Sequence, residues 1–179
     1  MNIKLTTDQL NRPTAAEYER IEKIPVCVIL ENIRSRSNVG AIFRSADAFL
    51  IDEIILCGFT AQPPHRDIHK TALGATETVP WRHFEKTSDA IADLRSRNYS
   101  VWAIEQTTAS RSLDDFSFSE HAPIALVLGN EVKGIEDETL GLCDGSIEIS
   151  QYGTKHSLNV SVCGGIVLHK ANHQLSHSS

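Results

Sequence analysis

The chain has 179 residues, of which 41% are hydrophobic and 22% charged, and its formal net charge is −6. This composition is typical of one globular domain with a sizeable core, and the negative charge argues against an indiscriminate nucleic-acid coat. No apolar run is long enough to span a bilayer, and the N-terminus lacks an apolar signal-peptide stretch, so we expect a cytoplasmic protein. The cysteines form no Cys-x-x-Cys pair and are predicted to be reduced, buried side chains: Cys27, Cys57, Cys143 and Cys163.

The first half of the chain is predicted to alternate between helices and strands. The first 24 residues look helical, and Thr14 and Glu17 have the spacing of a capping box. A buried strand is predicted at 25–31, a helix beginning near Val39 at 39–50 and a second strand at 52–58. A proline-containing loop follows at 59–67, and a short helix at 68–75.

The second half continues the same alternation. The predicted helices are 87–98, capped by Thr87 or Ser88, then 136–143 and 157–172, and the predicted strands are 99–106, 123–130 and 145–150. Most of these strands read as nearly continuous apolar runs, which favours strands buried on both faces. The sequence therefore predicts an α/β fold in which a parallel sheet is sandwiched by helices.

The helix that begins near Val39 carries an isolated arginine, Arg44, on the face opposite its apolar stripe. The stripe consists of Val39, Ile42, Phe43, Ala46, Phe49 and Leu50. The positions three and four residues from Arg44 that share its face are small: Gly40, Ala41 and Ala48. We interpret this pattern as space cleared around one arginine, on a face that would normally carry longer polar side chains.

Two further segments allow both a functional and an ordinary structural interpretation. The loop "GNEVKG" (129–134) joins a strand to a helix, so it is either a ligand-binding loop or a plain glycine-containing turn; it is neither a P-loop nor a dinucleotide fingerprint. The last helix has almost no polar face, so it is predicted to be buried all round. Its residues Ser157, Ser161 and Gly165 form a row of small residues. This row predicts close packing, against either a partner helix or the chain's own core.

Other residues are candidates for metal or RNA binding. His65 and His69 are four apart, but they lie in or beside a proline-containing loop without the glutamate of an H-E-x-x-H motif, so a basic loop is favoured over a metal site. A local basic patch can form despite the negative net charge. Its candidate members are Arg34, Arg36, Arg66, Lys70, Lys155 and His156.

Three segments together resemble one known family. "NIRSRSNVGAIFRSADAF", "LVLGNEVKGI" and "IEISQYGTKHSLNVSVCGGI" are similar, in this order, to the three motifs of the SpoU/TrmH family within the SPOUT superfamily, and "KTALGA" is a further family-like element. The resemblance implies an S-adenosylmethionine-dependent RNA 2′-O-ribose methyltransferase. It also implies a deep C-terminal trefoil knot that holds the cofactor, and a homodimer packed through the knot region, with no metal.

The resemblance also assigns residues. It implies that Arg44, Asn38, Glu131, Ser157 and Asn159 are catalytic, and that Leu128, Gly129, Gly134, Ile149 and Leu158 bind the cofactor. The RNA would be held by Arg34, Arg36, Arg66, Lys70 and Lys155. Two roles are open for Arg44: a clamp on an adjacent phosphate that lowers the hydroxyl pKa, or a base assisted by that phosphate.

The chain departs from the family pattern at Ser150, where proline is usual, and at Cys163, where alanine is usual. Residues 1–179 are predicted to be one domain with a helical extension at 1–24 and no separate N-terminal RNA-binding domain. This arrangement resembles the tRNA-modifying members of the family more than the rRNA-modifying members with an added domain, which implies tRNA as substrate and a D-loop guanosine as the target. The alternatives are an rRNA 2′-O-methyltransferase and a catalytically silent RNA-binding homologue.

Overall fold

The computed structural model describes residues 1–6 and 8–176. Near the N-terminus, α1 spans Ala15–Arg20 and begins with the predicted capping box between Thr14 and Glu17. The other helical segment among the described residues 1–24 is a single 3₁₀ turn at Asp8–Leu10. The prediction of a largely helical extension was therefore wrong except at α1; Thr7 and residues 177–179 lie outside the described part.

The centre of the molecule is a seven-stranded sheet in which every pairing is parallel. Its strand order is β3-β2-β1-β6-β4-β7-β5. The strands are β1 (Ile24–Glu31), β2 (Ile51–Cys57), β3 (Trp81–Phe84), β4 (Ser100–Ile104), β5 (Arg111–Ser112), β6 (Ile124–Leu128) and β7 (Gly145–Glu148). The parallel sheet that the apolar runs predicted is confirmed.

Helices connect these strands and cover the sheet. They are α2 (Arg36–Ala48), α3 (Arg66–Ala72), α4 (Ala75–Thr78), α5 (Thr87–Ser96), α6 (Asp137–Leu142) and α7 (Val160–Ser176). The N-cap of α5 is Lys86, without a side-chain cap, and not Thr87 or Ser88. The helix α7 begins at Val160, so Ser157 and Asn159 precede it and do not lie on it as predicted.

Each face of the sheet buries its own apolar cluster, because neighbouring side chains of a strand point to opposite faces. In β1, Val28 and Leu30 belong to the cluster that also holds residues of α2 and α7. Cys27 and Ile29 belong to the second cluster, which holds residues of α5. All four cysteines are free; Cys27 and Cys57 are buried, whereas Cys143 and Cys163 are only partly buried.

The helix α2 carries the predicted apolar stripe, with Val39, Ile42, Phe43 and Ala46 fully buried. Arg44 is exposed on the opposite side. The interpretation of Gly40 was wrong, because a Cβ at this position would overlap Thr71 and the Ile68 carbonyl. Gly40 therefore allows α3 to approach α2 closely, and the small residues beside Arg44 on the solvent side are Ala41 and Ala48.

The prediction that the last helix is buried all round was also wrong. Val162 and Ile166, one turn apart on α7, are 51% and 41% exposed. The glycines beside them face inwards: a Cβ at Gly164 would lie 3.1 Å from Leu128, and one at Gly165 would lie 3.7 Å from Ser45. The small residues thus pack α7 against the chain's own α2 and β6, and an apolar row remains on the outside.

A network of ion pairs lies at Glu53 in β2, which is 8% exposed. Its carboxylate accepts hydrogen bonds from the guanidinium groups of Arg82 and Arg97, which also contact Asp93. Burial alone would raise the pKa of Glu53, but these two arginines outweigh it and hold the pKa below its ordinary value. The network joins β2, β3 and α5.

No helix within the described ranges is long and apolar enough to cross a membrane.

Candidate active site

The loops that follow β1, β4, β6 and β7 meet at one edge of the molecule, because parallel strands end at the same side of the sheet. The three segments that resemble the family motifs run through the loops after β1, β6 and β7. In open α/β sheets, ligands bind in the crevice outside this carboxyl edge. The site is therefore built where the sheet order brings β1, β6 and β4 side by side.

Glu131, in the loop after β6, holds the start of α2. Its carboxylate accepts hydrogen bonds from the backbone N–H groups of Arg34 at 2.8 Å and Ser35 at 2.9 Å, and from Asn38 Nδ2 at 3.0 Å. Burial alone would raise the pKa of Glu131, but these donors outweigh it and hold the pKa below its ordinary value. Glu131 is thus an ionised structural anchor, with its oxygens already engaged by the chain's own donors.

Asn38 extends this contact to the third motif. It is 9% exposed, and its Oδ1 accepts a hydrogen bond from Asn159 Nδ2 at 3.2 Å. Asn159 Oδ1 in turn accepts from the backbone N–H of Ser161 at 2.8 Å, at the beginning of α7. Glu131, Asn38 and Asn159 therefore form one chain of hydrogen bonds that joins the three motif segments.

The loop 129–134 folds back on itself. Asn130 and Gly134 exchange backbone hydrogen bonds of 3.0 and 2.9 Å, and Asn130 Oδ1 accepts from the backbone N–H groups of Val132 and Lys133. A Cβ at Gly129 would lie 2.5 Å from the Gly134 backbone, and Gly134 has a φ of +71°. Both glycines are required by this geometry, so the segment is a tight turn that also forms a wall of the site.

This turn borders a cavity of about 660 Å³ that lies between the loops after β4, β6 and β7. The volume is within the usual range for small-molecule sites. All of the residues predicted to bind the cofactor line it: Leu128, Gly129, Gly134, Ile149 and Leu158. Glu131, Ser157 and Asn159, predicted to be catalytic, line it as well.

The cavity residues that were not identified from the sequence include Glu105 and Gln106. Glu105, directly after β4, accepts hydrogen bonds from the backbone N–H groups of Ile135 at 3.2 Å and Gln106 at 2.9 Å. The Gln106 side chain donates to the His156 carbonyl at 3.2 Å. Glu105 and Gln106 therefore connect two walls of the cavity. In the sequence, the polar pair "EQ" at the end of an apolar strand could have indicated them as site residues.

Arg44 is not among the cavity-lining residues. It lies on α2 about 9 Å beyond Asn38 along the helix axis, and its side chain is exposed. The Arg44 side chain makes no hydrogen bond or ion pair with any residue that the structure describes. An exposed guanidinium without a partner is free to bind a phosphate, and its catalytic role stays a prediction.

The residues predicted to bind RNA are all exposed: Arg34, Arg36, Arg66, Lys70 and Lys155. Arg66 has 93% of its side chain exposed and forms an ion pair with Asp67 at 3.5 Å. His65 accepts a hydrogen bond from the Asp67 backbone N–H at 3.1 Å and thereby caps α3. Within residues 1–6 and 8–176, no group of three or more potential metal-binding side chains is found.

The chain is similar to known proteins in both sequence and fold. The model of the SpoU rRNA Methylase family matches residues 25–169. A 23S rRNA (guanosine-2′-O-)-methyltransferase, RlmB, from Neisseria meningitidis is 31% identical over 156 residues, which are 87% of this chain and 61% of the relative. A tRNA (guanosine(18)-2′-O)-methyltransferase from Thermus thermophilus is 30% identical over 167 residues, covering 90% of this chain and 84% of the relative.

A solved structure, the AdoMet-bound rRNA methyltransferase from Sinorhizobium meliloti, has a TM-score of 0.79 at 28% identity, and the match covers 88% of this chain and 60% of that one. The fold and site define an α/β protein with a ligand cavity at the carboxyl edge of a parallel sheet. The chain belongs to the SpoU family of RNA 2′-O-ribose methyltransferases. It spans only about three fifths of the length of the Neisseria relative.

Proposed function

We propose that the chain transfers a methyl group from S-adenosylmethionine to a ribose 2′-hydroxyl of RNA. The observation that carries this proposal is the hydrogen-bonded chain Glu131–Asn38–Asn159, which brings the three motif segments together beside one cavity. Such a site has to hold two reactants in line, and positioning of this kind contributes several kcal/mol to catalysis.

The cavity is large enough for a small-molecule cofactor, and both apolar and polar residues line it, as is usual for such sites. Gly129 and Gly134 contribute only backbone to its wall, and we assign cofactor binding to them together with Leu128, Ile149 and Leu158. When bound, S-adenosylmethionine supplies a methyl group that its own positive sulfonium already activates, so the proposed reaction uses no metal.

Arg44 is proposed to act on the RNA. Arginine is a poor base because its pKa exceeds 12, so the role that fits best is a bidentate contact with the phosphate next to the target ribose, which lowers the pKa of the 2′-hydroxyl. The alternative is a base assisted by that phosphate. Ser157 and Asn159 line the cavity and are proposed to orient the ribose.

We also propose a homodimer that packs through α7 and the preceding segment. Val162 and Ile166 form an exposed apolar row on α7, and Leu158 is 38% exposed just before it. Exposed apolar side chains grouped in this way favour contact with another protein surface. A second copy is the occupant we propose, because this row adjoins the cavity residues that the resemblance places in the dimeric knot region.

The proposal includes the deep trefoil knot at the C-terminus. The segment 149–159 that would form it connects β7 to α7 and is tied to the loop after β4 by Gln106. We further propose that residues 1–179 belong to a single catalytic domain. We also propose a cytoplasmic location, because the proposed substrate is RNA.

For the substrate we propose guanosine in tRNA, in the D-loop. Support comes from the Thermus relative, which is named a tRNA (guanosine(18)-2′-O)-methyltransferase and of which the chain spans 84%. The RNA would lie across the exposed basic residues Arg34, Arg36, Arg66, Lys70 and Lys155. The Neisseria relative, named a 23S rRNA (guanosine-2′-O-)-methyltransferase, supports rRNA as the second candidate.

The test is methyl transfer by the purified full-length chain. It would be incubated with labelled S-adenosylmethionine and either unmodified tRNA transcripts or protein-free 23S rRNA, and the 2′-O-methyl positions mapped in the product. We expect label in tRNA at a guanosine ribose. Label in 23S rRNA alone would show that the substrate is rRNA and not tRNA. Tight cofactor and RNA binding without label in either RNA would instead identify a catalytically silent RNA-binding homologue.

A further inference from the structure

Phe59, which follows β2 after one glycine, is 63% exposed although its backbone is firmly held. Its N–H donates to Asn32 Oδ1 at 3.2 Å. On one side, Gly58 has a φ of +61°, and a Cβ there would overlap the Asn32 side chain. On the other, Thr60 is 2% exposed and bonds to the Leu30 carbonyl at 2.9 Å. The turn therefore presents an aromatic ring to solvent from a fixed position.

This turn lies close to the proposed catalytic site. Asn32, which accepts from Phe59, also accepts from Asn130 Nδ2 through its backbone carbonyl at 2.7 Å. Asn130 belongs to the tight turn that borders the cavity. Only β1 separates β2 from β6 in the sheet, so the loops after β2 and β6 are about 10 Å apart, which is two interstrand spacings.

Exposed cations lie on the two segments that adjoin this turn, while the Glu136 carboxylate accepts a hydrogen bond from Asn32 Nδ2 at 2.8 Å. Arg34 and Arg36 are exposed on the segment that leads from Asn32 into α2, and Arg66 and Lys70 are exposed on α3, which begins after the Phe59 loop. An exposed aromatic ring beside cations matches a nucleic-acid strand, since the cations contact phosphates while the ring stacks on a base. Charge complementarity therefore favours RNA over an apolar protein surface as the occupant.

We propose that Phe59 is a stacking platform for an unpaired base of the RNA, close to the nucleotide whose ribose enters the cavity. This inference rests on the proposed function and adds a positioning residue to it. Phe59 touches neither the cofactor cavity nor the reacting ribose; its stack fixes the path of the strand, so that the target ribose is presented at the cavity.

The test compares RNA affinity among variants of the full-length chain, with labelled unmodified tRNA transcripts and protein-free 23S rRNA as probes. Phe59→Ala and Phe59→Leu are expected to raise the RNA dissociation constant at least about fivefold, whereas Phe59→Trp preserves it, because stacking requires a ring. S-adenosylmethionine affinity and the unfolding temperature should not change. Leu73→Ala, at a residue that is 65% exposed beyond the far end of α3, is the matched control and should bind RNA as the wild type does.

Ultraviolet cross-linking gives a second readout, in which the peptide that contains Phe59 is expected to carry a nucleotide. Unchanged RNA affinity of Phe59→Ala in a protein that still methylates RNA would overturn this inference and leave the proposed function intact. Wild-type affinity of Phe59→Leu would overturn stacking, because leucine has no ring. If the wild-type chain binds neither RNA, the inference and the proposed function fall together.

Discussion

Glu131 and Asn38 are 93 residues apart in the chain, and the Asn38 side chain donates a hydrogen bond of 3.0 Å to the Glu131 carboxylate. The same carboxylate accepts from the backbone N–H groups of Arg34 and Ser35, in the turn that begins α2. One ionised side chain thus joins the helix that carries Arg44 to the turn that borders the cavity.

The substitution Glu131→Gln tests this anchor. Glutamine offers one oxygen where the carboxylate offers two, and it directs an NH₂ group at backbone donors, so at least one of them loses its acceptor. We expect the free energy of unfolding, measured by chemical denaturation, to fall by about 1–3 kcal/mol, and methyl transfer to fall with it. Glu136→Gln is the control, because glutamine can still accept the bond from Asn32. Equal stability of Glu131→Gln and the wild type would contradict the anchor role.

Arg44→Ala tests the proposed catalytic arginine. Its side chain is exposed and makes no hydrogen bond or ion pair with the described residues, so the unfolding temperature and the cofactor affinity should stay unchanged. We expect the methyl-transfer rate to fall at least about a hundredfold, as for other residues that stabilise a developing charge. Arg44→Lys keeps the charge without the bidentate geometry and should recover only part of the rate. Full activity of Arg44→Ala would remove this residue from the mechanism.

Gly134→Ala tests the assignment of the cavity to the cofactor. A Cβ at this position would lie 2.5 Å from Glu105 Oε2, and the φ of +71° is strained for alanine. We expect the affinity for S-adenosylmethionine, measured by calorimetry, to fall about tenfold or more.

The matched control is Gly141→Ala on α6, where a Cβ meets no atom within 4 Å. It should bind the cofactor normally and gain up to about 1 kcal/mol of stability, because alanine is the better helix former. Normal cofactor binding by a folded Gly134→Ala protein would mean that the cofactor does not use this turn.

Ile166→Glu tests the proposed dimer. Ile166 is 41% exposed on α7, so the change is tolerated in one chain but would bury an unpaired charge between two copies, at a cost of several kcal/mol. By sedimentation we expect a wild-type dimer and a folded monomeric variant. Leu73→Glu, at an exposed apolar residue on another helix end, should leave the dimer intact. A monomeric wild-type protein at micromolar concentration would exclude the interface.

Glu53 predicts a pH dependence of stability that is independent of the active site. Its pKa is lower in the folded chain than in the unfolded one, so its stabilisation is complete above its ordinary pKa and is lost as the pH falls through the lower, folded value. Glu53→Gln should therefore lower the free energy of unfolding at neutral pH by about 2 kcal/mol and flatten its decrease below about pH 4. Cofactor affinity should not change. An unaltered acid profile would show that the network adds no stability.

Elements with long or regular patterns were predictable from the sequence, whereas three of the shortest elements were not. The strands β1, β2 and β6 and the helix α2 agree with prediction to within one to three residues at each end, because each carries an extended apolar run or stripe. The strands β3 and β5 and the helix α4 have no more than four residues each, so their local patterns are too short to stand out. They form because neighbouring strands and helices are already in place.

The exposure of α7 shows a second limit of sequence patterns. Its composition is apolar on nearly every side, and from composition alone burial all round was the natural prediction. The structure leaves Val162 and Ile166 outside, since α2, the sheet and the segment 113–118 all pack against the inner side of α7. An apolar pattern indicates how much of a helix surface has to be buried. It does not indicate whether that surface is buried by the same chain or by another one.

The sequence by itself determined the alternation of strands and helices and the family resemblance. Through the motif positions, it also indicated five cofactor-binding residues, and all five line the cavity. Only the tertiary structure decided that Glu131 anchors the start of α2, that Glu105 and Gln106 close the cavity, and that Gly40 serves helix packing. The physical reason is the range of the interactions involved. Local propensity and periodicity are written in neighbouring residues, whereas the strand order that brings β1, β6 and β4 together depends on burial shared by distant segments.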